Sequence, residues 1–150
     1  MKKKYNVLIV DDEFLARKLL IEYVSKIDDL NIVDTCPDAT KALEILGREQ
    51  VDILLLDIQM PDISGMEMLR LINNKPAVIF TTAYSEYAVD AFSLGVVDYL
   101  LKPFDYARFL QAINKAINYI MSETQNEISN DYLMVKADYK LYKVNYDDLL

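Results

Sequence analysis

The 150-residue chain contains no histidine. No imidazole is available as a general base, a metal ligand or a phosphoryl carrier, so chemistry that needs one must draw it from a partner. A single cysteine, Cys36, excludes an internal disulfide. It lies in an apolar, strand-like stretch and reads as a buried structural thiol. There is no basic excess. Sixteen Lys and Arg against 24 Asp and Glu leave a net charge of -8, so the chain as a whole does not bind nucleic acid by electrostatics. No stretch approaches the roughly 20 consecutive apolar residues of a membrane span. The basic opening Met1-Lys2-Lys3-Lys4 is followed by an apolar run that stops at Asp11, which does not fit a signal peptide. Together these features imply a reducing, cytoplasmic setting with no membrane association. No internal repeat or low-complexity tract breaks the chain.

What is present is a core and a rhythm. At 53% hydrophobic, the chain can bury a sizeable interior. Ile53-Leu54-Leu55-Leu56 is an unbroken apolar run ending abruptly at Asp57, the pattern of a strand buried on both faces. Pro61 and Gly65 punctuate the loop beyond it. Tyr5 to Val10 is a second such run and ends in Asp11-Asp12-Glu13. Further strands are predicted over Asn31–Cys36, Ala77–Phe80 and Val97–Leu101. Helices lie between them. One carries Ala16, Leu19, Leu20, Tyr23, Val24 and Ile27; the next is capped by Asp38 and closed by Gly47. A third is capped by Ser64 and runs to about Asn73. A fourth spans about Glu86 to Leu94, with Ser85 as a cap and Gly95 as its stop. A long last helix presents Phe109, Ile113, Ala116, Ile117 and Ile120. Strand and helix alternate five times, which predicts an α/β fold with a doubly wound, five-stranded parallel sheet.

From Ser122 the composition turns polar. Residues 123–131 read as a linker, and Tyr132–Lys136 with Leu141–Asn145 read as a C-terminal β-hairpin. The expected domain organisation is therefore 1–122, a linker 123–131, and a second unit beginning at 132–150.

In an open parallel sheet, ligands bind at the carboxyl ends of the strands. Asp11, Asp12, Asp57, Thr82 and Lys102 all fall at such ends. Three carboxylates in one crevice repel each other, and a hard cation such as Mg²⁺ relieves that repulsion. Thr82 and Lys102 offer a hydroxyl and an ammonium suited to phosphate oxygens. A carboxylate nucleophile, a metal and two phosphoryl-binding groups are what aspartyl-phosphate chemistry needs. Singly, each residue reads as a turn, a cap or a surface charge. Their coincidence on one sheet edge carries the functional reading.

Val10-Asp11-Asp12-Glu13, Leu56-Asp57-Ile58-Gln59-Met60-Pro61 with Gly65, Thr82-Ala83 and Lys102-Pro103-Phe104 resemble the receiver domain of bacterial two-component response regulators, over about Asn6 to Met121. The resemblance implies strand order 2-1-3-4-5 and a phosphorylation-activated switch rather than an enzyme. Asp57 is implied as the phosphoacceptor for a sensor histidine kinase. Asp12, Asp57 and the backbone carbonyl of Gln59 are implied as direct Mg²⁺ ligands, with Asp11 acting through a water. Thr82 and Lys102 are implied to hold the phosphoryl group, and Thr82 with Tyr99 to form the switch. The Lys102-Pro103 peptide is expected to be cis. Gln59 and Tyr84, at positions that tune attack by water in that family, imply a long-lived phosphorylated state. Phosphorylation is expected to pair two chains through the fourth helix, fifth strand and fifth helix.

Thr81-Thr82-Ala83-Tyr84, Asp98-Tyr99-Leu100-Leu101-Lys102-Pro103-Phe104 and the stretch from Tyr132 to Leu150 are similar to the LytTR regulators, which join a receiver to a DNA-binding domain. On that resemblance the chain carries only the start of that domain. DNA contact would belong to segments beyond Leu150; from Glu123 on there are three lysines against six acids. Two rivals use related folds. A haloacid-dehalogenase-type phosphatase would need a second acid where Gln59 stands, and an amide cannot transfer a proton in that role. A flavodoxin-like cofactor binder would need a neutral or glycine-rich loop where Asp11-Asp12-Glu13 stands.

Overall fold

The structure, a computed structural model, describes the backbone of residues 4–140 and the side chains of residues 4–124. Five parallel strands form one sheet: β1 (Tyr5–Val10), β2 (Leu30–Cys36), β3 (Ile53–Asp57), β4 (Ala77–Thr82) and β5 (Asp98–Leu101). Their order is β2-β1-β3-β4-β5. The helices are α1 (Phe14–Ser25), α2 (Ala39–Arg48), α3 (Gly65–Leu71), α4 (Ala88–Ser93) and α5 (Tyr106–Lys140). The order reverses between β1 and β3, so the ends of those two strands open onto a shared crevice.

The side-chain alternation of the strands divides the core into two layers. Leu8, Val10, Leu54, Leu56, Val78 and Phe80 pack on one face with Ala42 and Ile45 of α2, Met68 and Leu69 of α3 and Ala91 of α4. Val7, Ile9, Ile53, Leu55, Ile79 and Leu100 pack on the other with Leu20 and Val24 of α1 and Phe109, Ala112, Ile113 and Ala116 of α5. Every residue of β3 is buried. Burying a Leu or Ile side chain stabilises by roughly 1.5–3 kcal/mol, so this strand is a rigid mount for whatever stands at its end.

Local chemistry sets the helix starts. The Asp38 side chain accepts from the Lys41 N–H at 2.9 Å. Ser64 and Glu67 make a reciprocal capping box, each side chain accepting from the other's backbone N–H at 3.1 Å. Gly95 adopts φ +83° just after α4, where the left-handed region suits glycine.

Several boundaries differ from the sequence expectation. Gly47 lies inside α2, which ends one residue later with Arg48 paired to Glu44 at 3.2 Å. Ser85 caps no helix; it opens a 3-10 turn over Ser85–Tyr87, and α4 begins only at Ala88. α3 stops at Leu71, two residues short of Asn73. The largest difference is at the C-terminal end. α5 is helical through Lys140, across the expected linker 123–131 and the expected first hairpin strand Tyr132–Lys136. Extending a helix that is already nucleated adds one bond per residue, whereas a lone two-stranded hairpin is marginal in water. The expected second strand, Leu141–Asn145, lies outside the described residues.

Candidate functional site

The carboxyl ends of β1, β3, β4 and β5 converge, and each is tied there by backbone bonds. The Asp11 N–H donates to the Cys36 carbonyl at 3.0 Å, Ile58 to Thr81 at 3.2 Å and Lys102 to Thr82 at 2.7 Å. The Lys102-Pro103 peptide is cis, as expected. A cleft of about 440 Å³ opens above, lined by Asp12, Asp57, Gln59, Ala83, Tyr84 and Lys102 among others.

Carboxylate oxygens of Asp11, Asp12 and Asp57 lie within 4.8 Å of one another. They differ in depth: Asp11 is fully buried, Asp57 is 3% exposed, and Asp12 faces solvent. Asp11 is the best held. One of its carboxylate oxygens accepts from the Glu13 N–H at 2.9 Å and the other from the Lys102 ammonium at 2.9 Å. Lys102 stands 3.7 Å from Asp57.

The balance of charge is incomplete. Burial, then the neighbouring Asp11 carboxylate, push the Asp57 carboxyl up from 3.8 to about 7, against the opposing pull of Lys102. Burial disfavours the Lys102 ammonium, but its bond to Asp11 and the field of Asp57 outweigh that and raise its pKa. One ammonium therefore offsets only part of three converging carboxylates. This hard-oxygen donor set, short of positive charge, fits a divalent cation.

The other expected residues take different places. Gln59 lines the cleft, and its side-chain amide donates to the Tyr87 hydroxyl at 2.7 Å. Thr82 is fully buried and does not line the cleft; its hydroxyl oxygen accepts from the Tyr84 N–H at 3.1 Å. Tyr99 is buried too, and its hydroxyl donates to the Tyr84 carbonyl. Burial raises the Tyr99 pKa, partly opposed by the Tyr87 backbone and the Thr82 hydroxyl. Tyr84 is half-exposed at the cleft rim.

Three features are absent from the sequence reading. Gly65 packs so tightly under the site that an added Cβ would lie 2.3 Å from the Asp57 carbonyl oxygen. Its place as the first residue of α3, directly after a capping serine, was the available sign. Asp98 is buried on β5 and paired with Arg108 and Lys115 of α5. An acid opening an otherwise apolar strand, with a base ten residues on, was the sign there. Tyr87 carries no sequence signal of its link to Gln59, because 28 residues separate them.

The model of the response regulator receiver domain matches residues 7–114. The chain is 45% identical over 104 residues to the transcriptional regulatory protein BtsR of Escherichia coli K12, covering 68% of this chain and 44% of that protein. It is 38% identical over 135 residues to the sensory transduction protein LytT of Bacillus cereus, covering 87% of this chain and 55% of that protein. It thus spans about half the length of these curated relatives. Among solved structures, the response regulatory domain of mrkE from Klebsiella pneumoniae aligns with a TM-score of 0.72 at 32% identity, over 78% of this chain and 98% of that one. TrrA of Thermotoga maritima, solved in complex with Mg²⁺ and a beryllium fluoride, aligns with a TM-score of 0.67 at 33% identity, over 75% of this chain and 98% of that one. Among the described residues no helix is long and apolar enough to cross a membrane. With its sheet order, its strand-end acids and a family match across most of its length, the chain belongs to the response regulator receiver domain family.

Proposed function

We propose that Asp57 accepts a phosphoryl group from a sensor histidine kinase and that this switches a DNA-binding output. The observation that carries the reading is the convergence of Asp11, Asp12 and Asp57 beside Lys102 on one sheet edge. A carboxylate oxygen of Asp57 forms the new P–O bond while the P–N bond of the partner's phosphohistidine breaks, its electron pair returning to the imidazole. The absence of histidine in this chain makes the donor a partner. Lys102 supplies positive charge to the phosphoryl oxygens, and the buried Asp11 holds that ammonium in place. Asp12, Asp57 and the Gln59 carbonyl would hold Mg²⁺, with Asp11 acting through a water, and the ion would add positive charge beside the phosphoryl oxygens; a solved structure similar to this chain contains Mg²⁺ and a beryllium fluoride.

The signal leaves through Thr82 and Tyr99. Drawing the Thr82 hydroxyl toward the phosphoryl group breaks its bond from the Tyr84 N–H and alters the pocket that the Tyr99 phenol occupies. The packing of α4, β5 and α5 then settles in one of two arrangements. Val89 and Phe92 of α4 and Leu101 of β5 are exposed, which supports the α4-β5-α5 face as the contact between two phosphorylated chains in a symmetric dimer. Beyond residue 122 the chain leads into the output domain, as in the regulators it resembles, and the protein works in the cytoplasm. The test is intact-mass spectrometry after incubation with Mg²⁺ and a small acyl phosphate. One added phosphoryl group, absent in Asp57→Asn and in EDTA, is expected. Equal labelling of Asp57→Asn overturns the proposal.

A further inference from the structure

We infer that Tyr87 is a positioning residue that sets the lifetime of the phosphorylated state, by holding the Gln59 amide away from the water that attacks the phosphoryl group. This rests on the reading of Asp57 as the phosphoacceptor.

Two contacts of Tyr87 point in different directions. Its side-chain hydroxyl accepts from the amide of Gln59, a residue that lines the cleft, at 2.7 Å. Its ring also meets that of Tyr84 edge to face, with centroids 6.3 Å apart. The 3-10 turn Ser85–Tyr87 thus bridges the loop after β3 to the buried aromatic of the switch.

Hydrolysis returns Asp57 to its resting state. The oxygen of a solvent water bonds to phosphorus as the bond from phosphorus to the Asp57 oxygen breaks. The electron pair stays on the carboxylate, and the water's proton passes to solvent with the released inorganic phosphate. An amide in the cleft can accept a hydrogen bond from that water and donate to the phosphoryl oxygens, which orients the attack. Gln59 lines the cleft beside Asp57 and is long enough to do so, but the bond from its Nε2 to the Tyr87 hydroxyl fixes where the amide stands. Loss of the Tyr87 hydroxyl releases it. The Tyr87 ring packs on Tyr84, whose carbonyl accepts from the Tyr99 hydroxyl, and this ties the restraint to the switch.

The experiment phosphorylates the full chain with Mg²⁺ and a small acyl phosphate, removes the donor, and follows loss of the added mass. Wild type, Tyr87→Phe, Gln59→Ala and the double variant are compared. Tyr87→Phe keeps the ring and removes only the hydroxyl. It is expected to lose phosphate roughly two- to tenfold faster, the factor set by releasing one neutral hydrogen bond. In the Gln59→Ala background the same change is expected to have no effect. An unchanged or longer lifetime in Tyr87→Phe overturns the inference, and so does equal acceleration with and without Gln59. If wild type takes up no phosphoryl group at all, the reading of Asp57 fails, which is distinguishable from a phosphorylated protein whose lifetime ignores Tyr87.

Discussion

Replacing Asp57 by Asn should stabilise the metal-free protein above neutral pH. The wild-type carboxyl is pushed from 3.8 to about 7 by burial and by Asp11, so the folded state holds its proton more tightly than the unfolded chain does. The sign follows. The contribution is fully present below the unfolded pKa and is lost as pH rises through about 7, because the folded protein must then carry a charge it disfavours. A shift of this size corresponds to a ceiling of about 4 kcal/mol at about 1.4 kcal/mol per pH unit. The cleft is open to solvent, and water entering it relieves part of that, so the expected gain for Asp57→Asn at pH 8 is on the order of 2 kcal/mol. For a chain of this size that is a rise in melting temperature of roughly 6 °C. Thermal melts of both proteins in EDTA from pH 4 to pH 8 measure it. The gap between them should be small at pH 4, open between about pH 4 and pH 7, and level off by pH 8. A gap independent of pH, or an Asn variant less stable than wild type at pH 8, would refute the electrostatic account of the site.

Adding Mg²⁺ at pH 8 should raise the melting temperature of wild type in proportion to the logarithm of its concentration, and Asp12→Ala should lose that response. Calorimetric titration with the metal checks the same point directly. Arg108→Ala removes the bidentate partner of the buried Asp98, with bonds of 2.8 and 2.9 Å, and should cost about 2 kcal/mol in urea melts. Burial opposes the Asp98 carboxylate, but the Arg108 bonds, with the Tyr99 N–H and Lys115, outweigh it and lower its pKa; its stabilisation is present above about pH 4, is lost in acid, and should shrink in that variant. Gly65→Ala drives a methyl group to 2.3 Å from the Asp57 carbonyl oxygen and should destabilise by about 2 kcal/mol, with slower phosphorylation. Light scattering with a beryllofluoride phosphoryl mimic should show a doubling of mass; an unchanged mass at high protein concentration, with the mimic bound, counts against the dimer.

The fold was legible where the pattern had only one physical solution. An all-apolar run such as Ile53–Leu56 has no solvated face, so it demands a sheet covered on both sides, and Asp57 follows as a strand end. Asp38 and Ser64 sit immediately before periodic segments and cap as read. Ser85 misled because the same hydroxyl suits a turn as well as a helix start. Gly47 misled because glycine is costly but permitted within a helix when neighbouring turns hold it. The end of α5 depended on choosing between local polarity and continuation of a long helix, and polarity alone does not stop one. At the site, the residue types were legible from their strand-end positions. Their depths were not: Asp11 and Asp12 are adjacent in sequence, yet one is sealed under Lys102 and the other faces water. The Gln59–Tyr87 bond depends on two loops meeting in space, which no periodicity encodes.

The pairing of Asp98 has a mechanical meaning. Arg108 and Lys115 are seven residues apart, two turns along the same side of α5, and both reach the one carboxylate, at 2.8 and 3.4 Å. Arg108 also donates to the Tyr99 carbonyl at 3.3 Å. A helix fastened at two heights to a single point cannot slide along its strand without breaking both fastenings. It cannot roll about its axis without losing the Tyr99 carbonyl. Asp98 and the Tyr99 carbonyl thus tie β5 to α5 at three points.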